Sequence, residues 1–237
     1  MSRLPILVSL PHGGLDIPAE VSALCALSPR EIERDGDEGA REIYAGLGGE
    51  AAGFVSTDVA RAIVDLNRTR DDRRKDGVVK THTCWDVPVY RRFPDEATID
   101  TLLDRYHRPY HRALERHASN GSFRLGLDCH TMAATGPPVG PDPGSKRPLV
   151  CLSNADGTCP SEWLVELADC FRGAFGTDDV RTNEPFRGGH IIRRHAGALS
   201  WIQLELSRTD DLSNADKAAA VLAALSEWCN QQDRASR

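Results

Sequence analysis

The stretch Arg124-Leu-Gly-Leu-Asp-Cys-His-Thr-Met132 has the pattern of a buried strand that ends in chemically active residues. Side chains on a strand alternate between the two faces of a sheet, so Asp128 and His130 point the same way. This carboxylate and imidazole can be a metal ligand with its orienting neighbour, part of a catalytic triad, or a satisfied polar pair at a strand end. These two residues alone do not distinguish the three interpretations, so the other residues of the chain are needed.

The length and composition of the chain bound its architecture. With 237 residues, it can form one large α/β domain with a full core or two small domains. Because no stretch rich in glycine, proline or serine divides the sequence, and no internal repeat is present, we predict a single domain over residues 1–237. The formal net charge of −6 disfavours nucleic acid as a partner.

The cysteines and the apolar segments indicate the cellular compartment. The chain has seven cysteines, an odd number, and none forms a Cys-x-x-Cys pair, so a disulfide framework is not expected. The apolar run Leu4–Leu10 is too short for a secretion signal and instead predicts the first strand. No segment has the length that spans a membrane. We therefore expect a cytoplasmic location and no membrane partner, and the sequence leaves the oligomeric state open.

Polar residues follow several predicted elements, which is where α/β folds place their sites. His12 lies on a glycine-rich turn directly after the strand Leu4–Leu10. Ser28-Pro29 predicts the start of a helix, and the acidic stretch Asp35–Gly39 opens a second helix that runs to Gly49. The carboxylates of this stretch either cap the second helix or include a metal ligand.

Two further stretches combine apolar runs with charged residues. Ala62–Leu66 is predicted to be a strand that ends in Asn67 and Arg68, a pair of donors that can recognise a carboxylate; a surface ion pair is the alternative. Glu205 lies inside the predicted strand Leu199–Leu206. A carboxylate in an apolar run needs a partner or has a raised pKa, so Glu205 is either a general base or a member of a buried ion pair.

The spacing of apolar residues over 95–117 predicts a helix. His107 and His111 share one face of it, but no glutamate follows the first histidine and Pro109 lies between them, unlike the helical zinc-protease motif. We therefore predict packing and hydrogen-bonding roles for both. Irregular loops over 69–94 and 133–147 are predicted to cover the site. No role is assigned to His82, His190 or His195.

Six short stretches, taken in their order along the chain, resemble the N-formylglutamate amidohydrolase family. They are Pro11–Gly14, Asp35–Ala40, Arg61–Arg68, Asp128–Thr131, Asn183–Phe186 with Gly188-Gly189, and Gln203–Leu206. The resemblance implies a branch of the zinc carboxypeptidase fold. We therefore expect an α/β three-layer sandwich with a central mixed, mostly parallel sheet and helices on both faces.

The same resemblance implies a ligand set for one Zn²⁺ per chain. It makes His12 the first ligand and His130 the third, and two imidazoles with one carboxylate are the protein ligands of a catalytic zinc. Carboxypeptidases place a glutamate three residues after the first histidine, where this chain has Leu15. The Asp-x-Gly-Ala context of Asp37 matches the family, so the resemblance makes Asp37 the second ligand, with Asp35 as the alternative.

The resemblance also implies the remaining site residues and the reaction. Glu205 falls where the related enzymes keep their general base, and Arg61 matches an arginine that polarises the scissile carbonyl or binds the substrate anion. Asn67 and Arg68 match the pair that holds a substrate carboxylate. The expected reaction is hydrolysis of N-formyl-L-glutamate, or a similar small N-acyl amino acid, to formate and L-glutamate. A deacylase or small metallopeptidase of other specificity, and a non-catalytic anion-binding protein, are the alternatives.

Overall fold

The fold is built on one six-stranded sheet, seen in a computed structural model that describes residues 3–235. The strand order is β2-β1-β3-β6-β4-β5, and every neighbouring pair is parallel except β4 with β6. This arrangement confirms the predicted mixed, mostly parallel sheet. The strands are β1 Leu4–Leu10, β2 Ala51–Ser56, β3 Leu125–Met132, β4 Val150–Ser153, β5 Val180–Thr182 and β6 Trp201–Ser207.

Helices cover both faces of the sheet, which confirms the predicted three-layer α/β architecture. On β1, Ile6 and Val8 join one apolar cluster and Leu7 joins the other, as the two-residue period of a strand requires. The first cluster is completed by α2, α3, α6 and α8, and the second by α1, α4, α5 and α7. The helices are α1 Pro29–Asp35, α2 Ala40–Tyr44, α3 Leu47–Glu50, α4 Glu96–Leu102, α5 Arg108–Asn120, α6 Ser161–Phe175, α7 His190–His195 and α8 Asn214–Ala235.

Local signals in the sequence fix where several helices begin. The side chain of Ser28 accepts a hydrogen bond from the backbone of Glu31, whose carboxylate accepts one from the backbone of Ser28, so α1 starts with a complete capping box. The second predicted helix is divided into α2 and α3. The predicted helix over 95–117 is confirmed, and a π-helical turn, Leu103–His107, joins α4 to α5 just before Pro109.

The predicted strand Ala62–Leu66 is wrong, because these residues form buried turns. The backbone N–H groups of Ile63 and Val64 both donate to the carbonyl of Ala60, which curls the chain. The periodicity of a short apolar run does not show whether the run is a buried strand or a buried segment of another conformation. The turns carry Asp65 and Asn67 to the carboxyl ends of β1 and β3, where the candidate site lies.

The sequence predicts no disulfide framework and no membrane-spanning segment. All seven cysteines are free, and every one except Cys84 is buried. Burial raises the pKa of most of these thiols, including Cys129 and Cys151, which disfavours their reactive thiolate form. Among residues 3–235, no helix combines the length and the apolar character needed to cross a bilayer.

Candidate metal centre and substrate cavity

The candidate site lies at the carboxyl ends of the central strands. His12 follows β1 by two residues, His130 lies near the end of β3, and Glu205 is its register partner on β6. Asp37 is in the loop between α1 and α2, and its backbone N–H donates to the carbonyl of His12. The structure thus brings together four of the residues that the sequence singles out, from positions up to 193 residues apart in the printed chain.

His12, Asp37 and His130 converge on one point. The Nδ1 atom of His130 lies 2.9 Å from Oδ2 of Asp37 and 3.1 Å from Nδ1 of His12, and the distance from His12 Nδ1 to the same Asp37 oxygen is 3.5 Å. All three residues are buried, with 2–5 % of their surface exposed. Two imidazole nitrogens and one carboxylate oxygen are the donor set of a catalytic zinc site, so these residues fit a metal ion.

The second ring nitrogen of each histidine faces a buried carboxylate. His12 Nε2 donates to Asp65 Oδ1 at 2.8 Å, and His130 Nε2 donates to Asp128 Oδ2 at 2.9 Å. These protons leave the lone pair of each histidine on Nδ1, the atom that would bind an ion, because metal-binding histidines are oriented in this way by a carboxylate on the other nitrogen. For Asp128, the geometry favours the orienting-neighbour interpretation. The sequence gives no sign of this position for Asp65, because the apolar run before it predicts a strand and not the turns that bring it to His12.

The charges around this point favour a cation. The pKa of the Asp37 carboxyl, which burial alone raises, is held well below its usual range by His12 and His130. Burial lowers the pKa of His130, but the negative charges of Asp128 and Glu205 outweigh it and raise that pKa well above its usual range. The raised pKa gives the His130 imidazole an increased affinity for a proton at Nδ1. A metal ion and such a proton compete for the same lone pair.

Asp35, the alternative second ligand, lies outside the convergence point. Its Oδ2 accepts from Nζ of Lys80 at 2.9 Å and its Oδ1 accepts from the backbone N–H of Cys84 at 2.7 Å. Both Asp35 and Lys80 are almost fully buried. A carboxylate held in this way is a partner for a buried ammonium group, and the geometry favours Asp37 as the ligand.

Arg61 reaches the same carboxylates from the side of the cavity. Its Nε donates to Asp65 Oδ2 at 3.2 Å, while Nη1 lies 3.5 Å from Asp37 Oδ1 and 3.3 Å from the carbonyl oxygen of Asp35. These contacts fix the guanidinium group and bring positive charge to three aspartates. The arrangement also leaves Arg61 on the wall of the cavity described below.

Glu205 is buried beside the convergence point. Its Oε1 accepts a hydrogen bond of 2.8 Å from Nε2 of Gln203, whose own oxygen accepts from the backbone of Gly189. Burial raises the pKa of the Glu205 carboxyl, and the neighbouring His130 opposes this shift. Glu205 is therefore a carboxylate with increased proton affinity, which is what a general base near neutral pH requires.

Asn67 and Arg68 line the cavity, but the protein already uses most of their polar groups. Asn67 Oδ1 accepts from the backbone of Ile191 at 2.8 Å, and its amide group lies 3.4 Å from Asp128 Oδ2. Arg68 pairs with Asp76 through a carboxylate contact of 3.2 Å and a carbonyl contact of 3.1 Å. A ligand carboxylate at Arg68 therefore has to replace Asp76.

A cavity of about 570 Å³ opens above these residues. Its volume is in the range of small-molecule sites. The loops over 69–94 and 133–147, which the sequence predicts to cover the site, supply part of its wall, for example Trp85 and Pro137. Although the whole chain is acidic, basic side chains outnumber acidic ones in this wall, which favours an anionic ligand. The basic residues are Arg34, Arg61, Arg68, Arg74, Lys80, Arg147, Arg187 and Arg208, and the acidic ones are Asp35, Asp37, Asp76 and Glu205.

Replacing the orienting carboxylate at His130 tests the metal centre. Asp128→Asn keeps the size of the side chain but removes its charge, and we expect Zn²⁺ affinity to fall by about 10- to 100-fold. The Zn²⁺ dissociation constant, measured by competition with a chromophoric chelator, checks this. Asp100→Asn on the exposed face of α4 is the matched control and should bind as the parent does. Equal affinity in both variants would exclude an orienting role for Asp128.

The chain is similar in sequence to known proteins. A family model described as N-formylglutamate amidohydrolase matches residues 4–210, which include every site residue discussed above. An N-formylglutamate deformylase of Pseudomonas putida is 27% identical over an alignment of 222 residues, and the match covers 87% of this chain and 81% of that protein. A second N-formylglutamate deformylase, of Pseudomonas aeruginosa, is 26% identical over 220 residues, with the same coverage of both chains.

Solved structures of similar proteins support the fold. The crystal structure of an N-formylglutamate amidohydrolase from Ralstonia eutropha JMP134 superposes with a TM-score of 0.76 at 19% identity and covers 98% of this chain and 96% of its own. A gene product from Agrobacterium tumefaciens gives a TM-score of 0.70 at 18% identity, with 98% and 90% covered. At these identities, the likeness concerns the fold alone.

Proposed function

The chain belongs to the N-formylglutamate amidohydrolase family, and on that premise we propose that it hydrolyses N-formyl-L-glutamate, or a similar N-acyl amino acid, with one bound Zn²⁺. The products are formate and L-glutamate. The observation that carries the proposal is the convergence of His12 Nδ1, His130 Nδ1 and Asp37 Oδ2 at the floor of a basic cavity, with Glu205 beside them. The curated relatives that bear the name of this activity add support.

His12, Asp37 and His130 are the residues that would hold the ion. Bound there, Zn²⁺ would act as a Lewis acid and lower the pKa of a coordinated water to about 7. Asp65 and Asp128 keep both imidazoles in the tautomer that offers Nδ1. The choice of zinc rests on this donor set of nitrogen and oxygen atoms, because imidazole with one carboxylate suits zinc better than calcium or magnesium.

Glu205 is proposed as the general base. It accepts a proton from the attacking water and passes that proton to the amide nitrogen as the C–N bond breaks. Burial favours this role because it raises the pKa of the carboxyl, and the hydrogen bond from Gln203 fixes one of its oxygens. Proton transfer by a positioned side chain of this kind contributes about 10²–10⁴-fold in rate.

Arg61 is proposed to stabilise the negative charge that develops on the carbonyl oxygen. Its guanidinium group is held in place by Asp65 and Asp37 before the substrate arrives. A donor that needs no rearrangement at the moment of reaction gives the largest electrostatic effect.

Arg68 is proposed to bind a substrate carboxylate, which takes the place of Asp76. The side-chain amide of Asn67 already donates a hydrogen bond to Asp128 and accepts one from the backbone N–H of Ile191. Arg68 therefore carries most of the carboxylate interaction in this proposal, and Asn67 contributes mainly by holding the segment beside His130. An arginine fork matches the two oxygens of a carboxylate and holds the acyl group at a fixed distance from the metal centre.

Arg68→Lys is expected to raise KM for N-formyl-L-glutamate by about 10- to 100-fold, because a hydrogen bond to a charged group is worth about 1.5–3 kcal/mol. Bound Zn²⁺ should remain unchanged. Arg74→Lys is the matched control, since Arg74 lines the same cavity but is largely exposed and pairs with Asp72 at 2.6 Å. An unchanged KM in Arg68→Lys would remove this residue from the substrate site.

Formate release from N-formyl-L-glutamate, measured on protein of known metal content, tests the function itself. Zinc-loaded protein should release formate, and protein treated with a chelator should not. N-acetyl-L-glutamate and N-formyl-L-methionine in the same assay separate the alternatives of other acyl and amino acid specificity. Binding of N-formyl-L-glutamate with no hydrolysis would instead identify a non-catalytic anion-binding protein.

A further inference from the structure

A second group of histidines lies behind the segment that carries Asn67. His107 ends the π-helical turn, His111 lies one turn further on in α5, and His190 is the first residue of α7. One ring nitrogen of each lies within 4.8 Å of one from each of the other two. We call these three residues the histidine cluster. The sequence predicts the hydrogen bonds of the first two members, but it gives no sign that His190 joins them.

Two backbone carbonyls fix the protons of the first two members. His107 Nε2 donates to the carbonyl of Arg68 at 2.9 Å, and His111 Nε2 donates to the carbonyl of Leu66 at 3.1 Å. A carbonyl oxygen can only accept, so both protons are on Nε2. The lone pairs of His107 and His111 are therefore on Nδ1. Both residues are buried, with 3% and 1% of their surface exposed.

The third member has a buried nitrogen that lacks a partner. Among residues 3–235, no group forms a hydrogen bond with Nε2 of His190, although this atom is shielded from solvent. An unpaired polar atom in such a place costs about 1–3 kcal/mol. The remainder of the His190 side chain is partly exposed, so an ion could reach the cluster from the surface.

Burial disfavours a second proton on the members of the histidine cluster. Burial, together with the positive forms of the neighbouring histidines, lowers the pKa of His111 to about 2 and the pKa of His190 to about 4. Neutral imidazoles have no proton to lose before they bind a metal. Arg194, whose positive charge also lowers the pKa values of His111 and His190, is paired with Glu115 at 3.0 Å.

We infer that the histidine cluster is a second metal site, distinct from the proposed catalytic one, which binds a transition-metal ion such as Zn²⁺ through three imidazole nitrogens. A site with three imidazoles and no carboxylate suits Zn²⁺, Cu²⁺ or Ni²⁺ and not Mg²⁺ or Ca²⁺. An ion there would join α5 to α7 and hold the carbonyls on both sides of Asn67. This inference does not depend on the proposed reaction.

His195 offers a control within the same network. Its Nε2 lies 3.0 Å from Nδ1 of His111 and donates to it in the absence of a metal. If the histidines form only a hydrogen-bonded packing group, His195→Ala should disturb it at least as much as a change at His190, which lacks a partner at Nε2. If the cluster binds metal, His190→Ala should remove the ion and His195→Ala should not.

The test counts Zn²⁺ on the full chain after chelator treatment, by titration against a chromophoric chelator and by elemental analysis after gel filtration. We expect two equivalents in the parent and in His195→Ala, and one equivalent in His190→Ala and in His130→Ala. His190→Phe, which keeps an aromatic ring at this position, should also bind one equivalent and guards against a folding defect. Titration with Mg²⁺ should give no binding at the cluster.

The variants separate failure of this inference from failure of the proposed function. Loss of an equivalent in His130→Ala concerns the catalytic site alone, and loss in His190→Ala concerns the cluster alone. If both His190 variants bind as many equivalents as the parent, the second site does not exist. A parent protein that binds one equivalent, and loses it in His130→Ala, leads to the same conclusion.

Discussion

Glu205→Gln is expected to reduce kcat by about 10²–10⁴-fold, while the protein stays folded and zinc-loaded. Glutamine keeps the shape of the side chain, and its carbonyl oxygen can still accept the hydrogen bond from Gln203. It cannot accept the proton of the attacking water. KM should change little, because Glu205 is not among the groups proposed to bind the substrate carboxylate.

A purely structural Glu205 predicts the opposite result. The variant would then lose thermal stability, and its folded fraction would be nearly as active as the parent. Melting temperature, zinc content and kcat, all measured on one preparation, distinguish the two cases. Glu227→Gln on α8, where the side chain is half-exposed and pairs with Arg234, is the matched control and should leave all three quantities unchanged. A stable, zinc-loaded Glu205→Gln with the kcat of the parent would eliminate the general-base role.

His130→Ala is expected to lose the proposed catalytic zinc and to reduce formate release to the uncatalysed background. The change removes one of three donors and leaves the buried carboxylate of Asp128 without its imidazole partner. An unpaired buried polar group also lowers the stability by about 1–3 kcal/mol, and a charged group lowers it further. Elemental analysis and the formate assay are therefore made together with a melting curve.

Asp35→Asn and Asp37→Asn complete this experiment, since the two residues lie two positions apart at the end of α1 and only one of them is proposed as a ligand. Asp37→Asn should lose the metal. Asp35→Asn should keep it and show a lower melting temperature, because Lys80 loses its nearest carboxylate. Retention of stoichiometric metal with parental affinity in His130→Ala would contradict the proposed ligand set, and so would metal loss in Asp35→Asn alone.

The sequence predicts those parts of the site that depend on local periodicity. Asp128 and His130 share a face because a strand has a two-residue period, and the buried carboxylate of Glu205 is visible as a charge inside an apolar run. His12 is visible because a glycine-rich turn follows a core strand. For these residues, the neighbouring sequence is enough to predict the strand or turn that carries the side chain.

The remaining parts depend on contacts between distant segments. Asp35 and Asp37 have nearly the same local sequence, and the ion pair with Lys80, from a loop 45 residues away, is what separates them. The contact of Asp65 with His12 cannot be predicted from the sequence, because the run before Asp65 has the composition of a strand but forms turns. His190 joins a helix that lies about 80 residues earlier in the chain, which no spacing rule describes.

The sheet and the loops supply different parts of the site, and this affects how such enzymes can diverge. His130 and Glu205 are register partners on adjacent strands, so their separation is set by backbone hydrogen bonds of the sheet. Much of the cavity wall comes instead from the irregular segments over 69–94 and 133–147. Insertions and substitutions in these segments can change which acyl amino acid enters without moving the groups proposed for bond cleavage. One scaffold can therefore acquire new substrates by loop exchange.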